Sequence, residues 1–447
     1  MNGTENTPLL PANGHRTSTA RRVVHGALFV VFILMLALVL FVVEGIQHGR
    51  HADRSDNGWP WPVDGLPKNP YEAALKILDT APVIDGHIDL PWLVRLRFAN
   101  NGSAVDLDQP TVGHLDIPRL REGKVGGFFW SVYIPCPADS DKQQNEEFVP
   151  PTWAVRDTLE QIDIAHQLIN KYPDTFSLSL TSEDVKKSIS EGKVASLLGA
   201  EGAHQLGNSI GALRQYYSLG VRYLTLTHMC HNAFADSGGF LTPKKPLHGG
   251  LSPLGHKLVY EMNRLGMLVD LSHTSDDTAL QALNISRAPV IWSHSSSREV
   301  HDVARNVPDR VLEKIGFGEG QRDAVVMVNF APEFVAKEGK ANVKAVADHV
   351  ERIAKIAGKK HVGIGSDYDG IVSTPKGLED VSKYPALVAE LYKRGWTRLE
   401  LAGFTGANFL RILAGAEQTA RVMALEGAQP VYDLYDKRTD LPVHSEL

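Results

Sequence analysis

The chain has little cysteine: two residues in 447, Cys136 and Cys230. That excludes a small scaffold held together by many disulfides and leaves room for a single bridge. An excess of positive charge is also missing. The formal net charge is −6, which removes the electrostatic argument for nucleic acid as a partner. Apolar residues are not scarce: 43% apolar against 22% charged describes an ordinary globular chain, so wholesale disorder is excluded. No short internal repeat is present, and the length allows one large domain or two ordinary ones.

Long hydrophobic runs are absent with one exception. VVHGALFVVFILMLALVLFVV, residues 23–43, carries no formal charge until Glu44. A spanning helix needs about 20 apolar residues, whereas the core of a signal peptide has about 7–15. No small-residue cleavage site follows, so the run reads as a transmembrane signal anchor. A cleaved signal peptide and a buried core helix are the alternatives. Arg16, Arg21 and Arg22 precede the run, and Arg50 and Arg54 follow it beside Glu44 and Asp53. This bias favours a cytoplasmic tail over residues 1–22 and a lumenal or extracellular body, the type II arrangement. Two sequons in the body, at Asn101 and Asn284, agree with glycosylation in such a compartment. Asn2 would lie on the cytoplasmic side and stay bare. The C-terminal YDKRTDLPVHSEL has no apolar tail of the kind that precedes a lipid anchor.

Residues 44–70 form a Pro- and Gly-rich linker containing NGWPWPVDGLPKNP. Beyond it, over residues 71–425, apolar strands alternate with amphipathic helices; residues 426–447 read as a tail. The expected strands are PVIDGHID, KVGGFFWSVYI, KVASLLGAEG, RYLTLTH, MLVDLSH, PVIWSH, AVVMVNF and HVGIGSD. They are apolar and rich in β-branched residues, as parallel strands buried on both faces must be. Between them, WAVRDTLEQIDIAHQLINKY sets Val155, Leu159, Ile162, Ala165, Leu168 and Ile169 on one helical side. SPLGHKLVYEMNRLG offers Ser252 as N-cap, Pro253 in the first turn and Gly266 as a stop. Eight strand–helix units predict an α/β fold, a (β/α)8 TIM-like barrel, with a doubly wound open sheet as runner-up.

The first strand raises a problem. VIDGHIDL puts Asp85, His87 and Asp89 at alternate positions, which predicts a shared face. Unpaired buried charge is costly, so that face must meet water, a partner or a metal. The same chemistry recurs along the chain. Six of the eight strands finish with a group that binds metal or moves a proton: His87 and Asp89, Glu201, His228, His273, His294 and Asp367. In a barrel those ends converge on one rim. Each residue alone has a bland reading, as a hydrogen-bonding loop histidine or a helix-entry acid. Recurrence at one structural place does not. Imidazoles with carboxylates and no thiolate suit zinc or another borderline divalent metal. The set is too large for one catalytic ion, which keeps about three protein ligands. Two ions sharing a carboxylate would use His87, Asp89, Glu201, His273 and His294 and could hold a hydroxide between them. Asp85 would then orient a ligand histidine. Asp367 and Asp369 both follow the last strand, and the residues alone do not rank them.

The motifs DGHIDL, GAEGAHQL, YLTLTHMCHNAFADS, LVDLSHTS, PVIWSHSSS, ARNVPD, VMVNF and GIGSDYDG together resemble the membrane (renal) dipeptidase family of zinc peptidases. The resemblance implies a TIM-like barrel with two zinc ions per subunit bridged by Glu201. It assigns His87 and Asp89 to one ion and His273 and His294 to the other. It further implies that His228 contacts substrate and the developing oxyanion, and that Asp367 manages the proton. Arg305, in ARNVPD, would take the terminal carboxylate of a dipeptide, a planar anion that a guanidinium fork suits. Cys136 and Cys230 match a bridged pair, and family members dimerise. Two departures bear on substrate side chains: Ala331 stands where relatives carry an aromatic residue, and His231 and Phe234 follow His228. Two rival readings remain open. One is another amide or cyclic-amide hydrolase or a deaminase on the same barrel. The other is a membrane-tethered binding module without turnover.

Overall fold

The computed structural model describes residues 65–137 and 153–437. The expected tail, anchor and most of the linker lie outside the described residues, as do residues 438–447. Among the described residues, no helix is long and apolar enough to cross a membrane. Asn101 and Asn284 are both exposed.

Nine parallel strands form one sheet: β1 (Val83–Ile88), β2 (Val125–Val132), β3 (Phe176–Leu178), β4 (Val194–Ala200), β5 (Val221–Thr225), β6 (Leu268–Asp270), β7 (Val290–Trp292), β8 (Ala324–Val328) and β9 (Val362–Ile364). Eight of them close a barrel in the order β2-β1-β9-β8-β7-β6-β5-β4, with β4 returning to β2. These are the eight strands that the alternation predicts. The ninth, β3, pairs with the first half of β4 from Val194 to Ser196, while β5 takes its second half from Leu198 to Ala200. Three residues in FSLSL are too short to carry a periodic signal.

The barrel interior is filled by Ile84, Phe129, Ala195, Leu197, Tyr223, Leu268, Ile291, Val325 and Met327. The same cluster includes Phe409, Ile412, Leu413 and Ala416 of the helix Asn408–Leu425, so that helix packs against the interior; Phe409 meets Phe129 edge-to-face at 5.4 Å. Truncating such a buried aromatic to alanine costs about 3–5 kcal/mol. Two glycines permit close approaches within this space. A Cβ on Gly199 would sit 2.1 Å from the Tyr223 ring, and one on Gly86 would sit 2.3 Å from the Ser293 carbonyl oxygen. Without side chains there, Tyr223 can run across the barrel to the rim.

The surrounding helices start and stop as their chemistry dictates. Ser252 caps Pro253–Leu265 through Gly255 N–H, and Gly266 ends it at φ 80°. Asn342 caps Val343–Ile356 through Lys344 and Ala345. The helix Ala154–Lys171 buries Ile162, Ala165, Leu168 and Ile169 as expected. Leu159 does not join them: it is 39% exposed. The buried stripe runs through Thr158 and Gln161 instead, because Thr158 bonds Gln205 across the interface.

Candidate metal centre and active site

The chemistry sits just past the strand ends, on loops that the barrel holds rigid. Glu201 directly follows β4, His228 and His273 lie three residues beyond β5 and β6, and His294 lies two beyond β7. All four are buried, as are His87 and Asp89. Glu201 is the hub. Its Oε1 lies 3.0 Å from His273 Nε2, 3.1 Å from His294 Nε2, 3.6 Å from His87 Nε2 and 3.8 Å from His228 Nε2. His87 Nε2 is also 3.1 Å from Asp89 Oδ2. Residues spread over two hundred positions therefore share one carboxylate.

The protons show what this cluster lacks. Ser293 Oγ lies 2.6 Å from Asp270 Oδ2 and 2.8 Å from His294 Nδ1. Its single proton goes to the carboxylate, so its oxygen accepts from His294 Nδ1–H. His294 Nε2 is left as a lone pair. It points at Glu201, itself an acceptor, and at His273 Nε2, 3.0 Å away. Burial pushes the pKa of both His273 and His294 well below the usual imidazole value, so both rings are neutral. At most the His273 ring proton and a carboxyl proton on Glu201 are shared among three ligand atoms that crowd together at 3.0–3.1 Å. A tetrahedral zinc with Zn–N of about 2.0–2.1 Å would set its ligands about 3.3 Å apart. The residues fit a divalent cation.

The other half of the cluster carries the same message. Burial works to lower the His87 pKa, but Asp89, Glu201 and Asp367 outweigh it and raise it to about 10. Glu201 itself is pushed well above the carboxylate range, chiefly by burial. Asp89 Oδ1 and His273 Nδ1 have no hydrogen-bond partner. Three carboxylates competing for one imidazolium are short of positive charge. His87, Asp89 and Asp367 form one potential ligand group, and His87, Glu201 and His294 another.

Orientation comes from residues that the sequence did not single out. Tyr223 Oη bonds His87 Nδ1 at 2.7 Å, which turns His87 Nε2 toward Glu201. Asp270 accepts from Thr225 and Ser293 side chains and from the Ser272 and Ser293 backbone. Tyr223 lies within an apolar run and Asp270 at the end of β6, where each reads as an ordinary residue of its kind. His273 and Asp367 take left-handed backbone conformations, φ 63° and 68°, unfavourable for non-glycine residues and concentrated at functional sites. The His273 carbonyl holds that geometry by accepting from Thr227 Oγ1 and Gly238 N–H.

Asp85 departs from expectation. It does not share a face with His87. A register irregularity between Asp85 and Ile88 breaks the alternation. Asp85 meets Tyr384 Oη at 2.6 Å and the Ser366 backbone, while His87 faces the interior. Asp85 accepts the His87 backbone N–H at 2.8 Å, so it fixes that residue's main chain rather than its ring. Its burial raises its pKa to about 6 against these hydrogen bonds.

A cavity of 200 Å³ opens over the cluster, lined by Trp92, Tyr133, His228, Phe240, Phe334 and Asp367 among others. Its size suits a small substrate. Asp367 Oδ2 accepts from Asn329 at 2.8 Å. Its pKa is pushed up to about 7, chiefly by lost hydration; His87 opposes the shift and Asp89 adds to it. Asp369 turns away and accepts the His114 N–H at 2.6 Å, which separates the two acids that sequence alone left equal. Ala331 lines the cavity, but His231 and Phe234 do not. Phe234 is fully buried in the main core, and His231 accepts from Ser237 N–H beside Asp236. Arg305 is buried behind the wall. It donates to Ser295 Oγ and the His294 carbonyl, both at 2.7 Å, and lies over Phe334. Its Nε has no partner. Cys136 and Cys230 are bonded, with Cα atoms 6.0 Å apart.

Residues 71–427 match the membrane dipeptidase family, peptidase family M19. The chain belongs to the membrane dipeptidase family. It is 42% identical to Dipeptidase verJ of Clonostachys rogersoniana over 84% of this chain and 94% of that one. A metallo peptidase from Rhodobacter sphaeroides, solved with a phosphinate mimic of the dipeptide L-Ala-D-Ala, is 28% identical with a TM-score of 0.65. That match covers 75% of this chain and 99% of the other. The metallo peptidase dipeptidase AC is 27% identical at the same TM-score of 0.65, with the same 75% and 99% coverage. Membership makes the protein a metal-dependent dipeptidase on a TIM-like barrel.

Proposed function

We propose that the protein hydrolyses dipeptides at a two-zinc centre. His87, Asp89 and Glu201 would hold one ion, and Glu201, His273 and His294 the other. The observation that carries this reading is the convergence of two neutral imidazole Nε2 atoms on Glu201 Oε1 at 3.0–3.1 Å. The imidazole–carboxylate donor set suits zinc. Bound there, the ions would supply Lewis acidity toward the scissile carbonyl and lower the pKa of a water.

The remaining work falls to the chain's own side chains. His228 lines the cavity between the Tyr133 ring, 4.8 Å away, and the His273 ring, 4.3 Å away. Its imidazole stabilises charge that develops on the carbonyl oxygen. Asp367 faces the same cavity with one oxygen fixed by Asn329; it takes a proton and delivers it to the leaving amine. Arg305, with its Nε unpartnered, attracts the terminal carboxylate through the wall beside Phe334. Together with the small cavity, this favours substrates of two residues. His273→Ala tests the reading: the purified variant should lose bound zinc and dipeptide hydrolysis together. Full activity in that variant, or in wild type after chelation, would refute it.

Attachment through residues 23–43, a lumenal or extracellular body, glycans on Asn101 and Asn284 and assembly as a homodimer complete the proposal. The apolar run, the sequons and the disulfide support the first three. Protease protection of the body in intact microsomes and an endoglycosidase mobility shift are the checks.

A further inference from the structure

The Cys136–Cys230 bridge lies against two histidines. A ring nitrogen of His204 sits within 4.8 Å of both sulfur atoms. His228 Nδ1 lies 3.9 Å from Cys136 Sγ. His204 Nε2 is 3.0 Å from the Ile134 carbonyl, which can only accept, so Nε2 carries the proton and Nδ1 is a bare lone pair. That Nδ1 is buried and has no partner. An imidazole that donates one N–H to a backbone carbonyl while its other nitrogen stays free has the arrangement of a metal ligand. Nothing in the hydrolytic site uses it. Cys136 is partly exposed, so a small thiol can reach the bridge.

We propose that Cys136, Cys230 and His204, with His228 turning in to complete the set, form a second metal site, closed in the disulfide form and opened by reduction. A low-molecular-weight dithiol supplies two electrons and two protons. The S–S bond breaks, two thiols form, and the reductant leaves as its own disulfide. A divalent cation of the zinc type then displaces the two thiol protons and binds two thiolates and two imidazoles. Cα atoms 6.0 Å apart leave room for the sulfur atoms to separate to about 3.8 Å, the edge of a tetrahedron with Zn–S of about 2.3 Å. The site has a consequence for hydrolysis. Met229 adjoins Cys230, Tyr133 precedes Cys136 by three positions, and both line the substrate cavity with His228. An ion on His228 Nδ1 would draw that ring from the cavity, so reduction with metal uptake would switch the enzyme down.

The test is cobalt(II) titration of the full chain, oxidised and after anaerobic reduction with dithiothreitol and desalting. The reduced form should bind one more ion per chain than the oxidised form. It should also show sulfur-to-cobalt charge-transfer absorption that the oxidised form lacks. The oxidised count serves as the reference, so loss of the rim ions and loss of this site are read separately. His204→Ala should weaken the added ion about tenfold or more. The double variant Cys136→Ser/Cys230→Ser should not bind it. With zinc in place of cobalt, dipeptide turnover should fall about tenfold or more and return on reoxidation, as expected for a displaced oxyanion donor. Equal counts without the charge-transfer band would overturn the proposal. So would an added ion that survives the double serine variant or is indifferent to His204→Ala. Loss of the far-ultraviolet circular dichroism on reduction would overturn it as well, since the site requires the folded chain.

Discussion

Glu201 and Asp236 are both buried carboxylates on loops above the barrel, and they behave in opposite ways. Asp236 accepts N–H bonds from Leu247, His248 and Gly250 and lies 3.2 Å from His231. Burial would raise its pKa, but these donors lower it to about 2. Glu201 meets four imidazole nitrogens, and Asp89 and Asp367 lie close enough to disfavour its charge. Its pKa is driven up. The loop carboxylate is satisfied by its own backbone. The rim carboxylate is satisfied only with a cation beside it. One is built for stability and the other for binding, and the distinction lies in the donors rather than in the depth of burial.

The contrast can be broken first at Glu201. Glu201→Gln should remove bound metal and lower kcat/KM for dipeptides by at least about 10⁴-fold. In metal-free protein, the same change should leave the melting temperature equal or higher, because burial there already disfavours the charged carboxylate. A fall in that temperature would mean that Glu201 is structural. Asp367→Asn should lower kcat about 10³-fold with the metal content unchanged, as measured by atomic emission alongside steady-state kinetics. Arg305→Glu should lower kcat/KM for dipeptides about 10²-fold and spare an uncharged cyclic amide. Equal losses on both substrates with the metal content unchanged would favour the broader amide-hydrolase reading.

The smallest effect belongs to Asp236. Asp236→Asn should destabilise the fold by about 1–2 kcal/mol near neutral pH, read from the denaturation midpoint. The sign follows from the lowered pKa. The folded value of about 2 lies below the ordinary 3.8, so the contribution is present above pH 4 and fades as pH falls toward 2. Wild type and variant should therefore converge in stability through that window.

The barrel was legible because parallel strands buried on both faces are written as apolar, β-branched runs. The rim was legible because reactive side chains break those runs at their C-terminal ends. What escaped was whatever depended on contacts across the barrel. Tyr223 orients His87 from 136 positions away, and within YLTLTH it reads as an ordinary core aromatic. Asp270 and Ser293 position His294 but look like strand-end polar residues. Alternation assumes an unbroken ladder, and the irregularity in β1 sends Asp85 to the helix layer. Leu159 followed helical periodicity, yet the stripe is set by the Thr158–Gln205 bond. The free nitrogen of His204 acquires meaning only once the loops after β2 and β5 are brought together.

On the proposed reading, one carboxylate on the barrel rim, Glu201, joins two metal ions. An anomalous-difference map of the purified protein at the zinc edge addresses it directly. Two peaks flanking Glu201, one beside His87 and Asp89 and the other beside His273 and His294, are the predicted result. A map with no peak there, or with metal bound away from Glu201, would contradict the account.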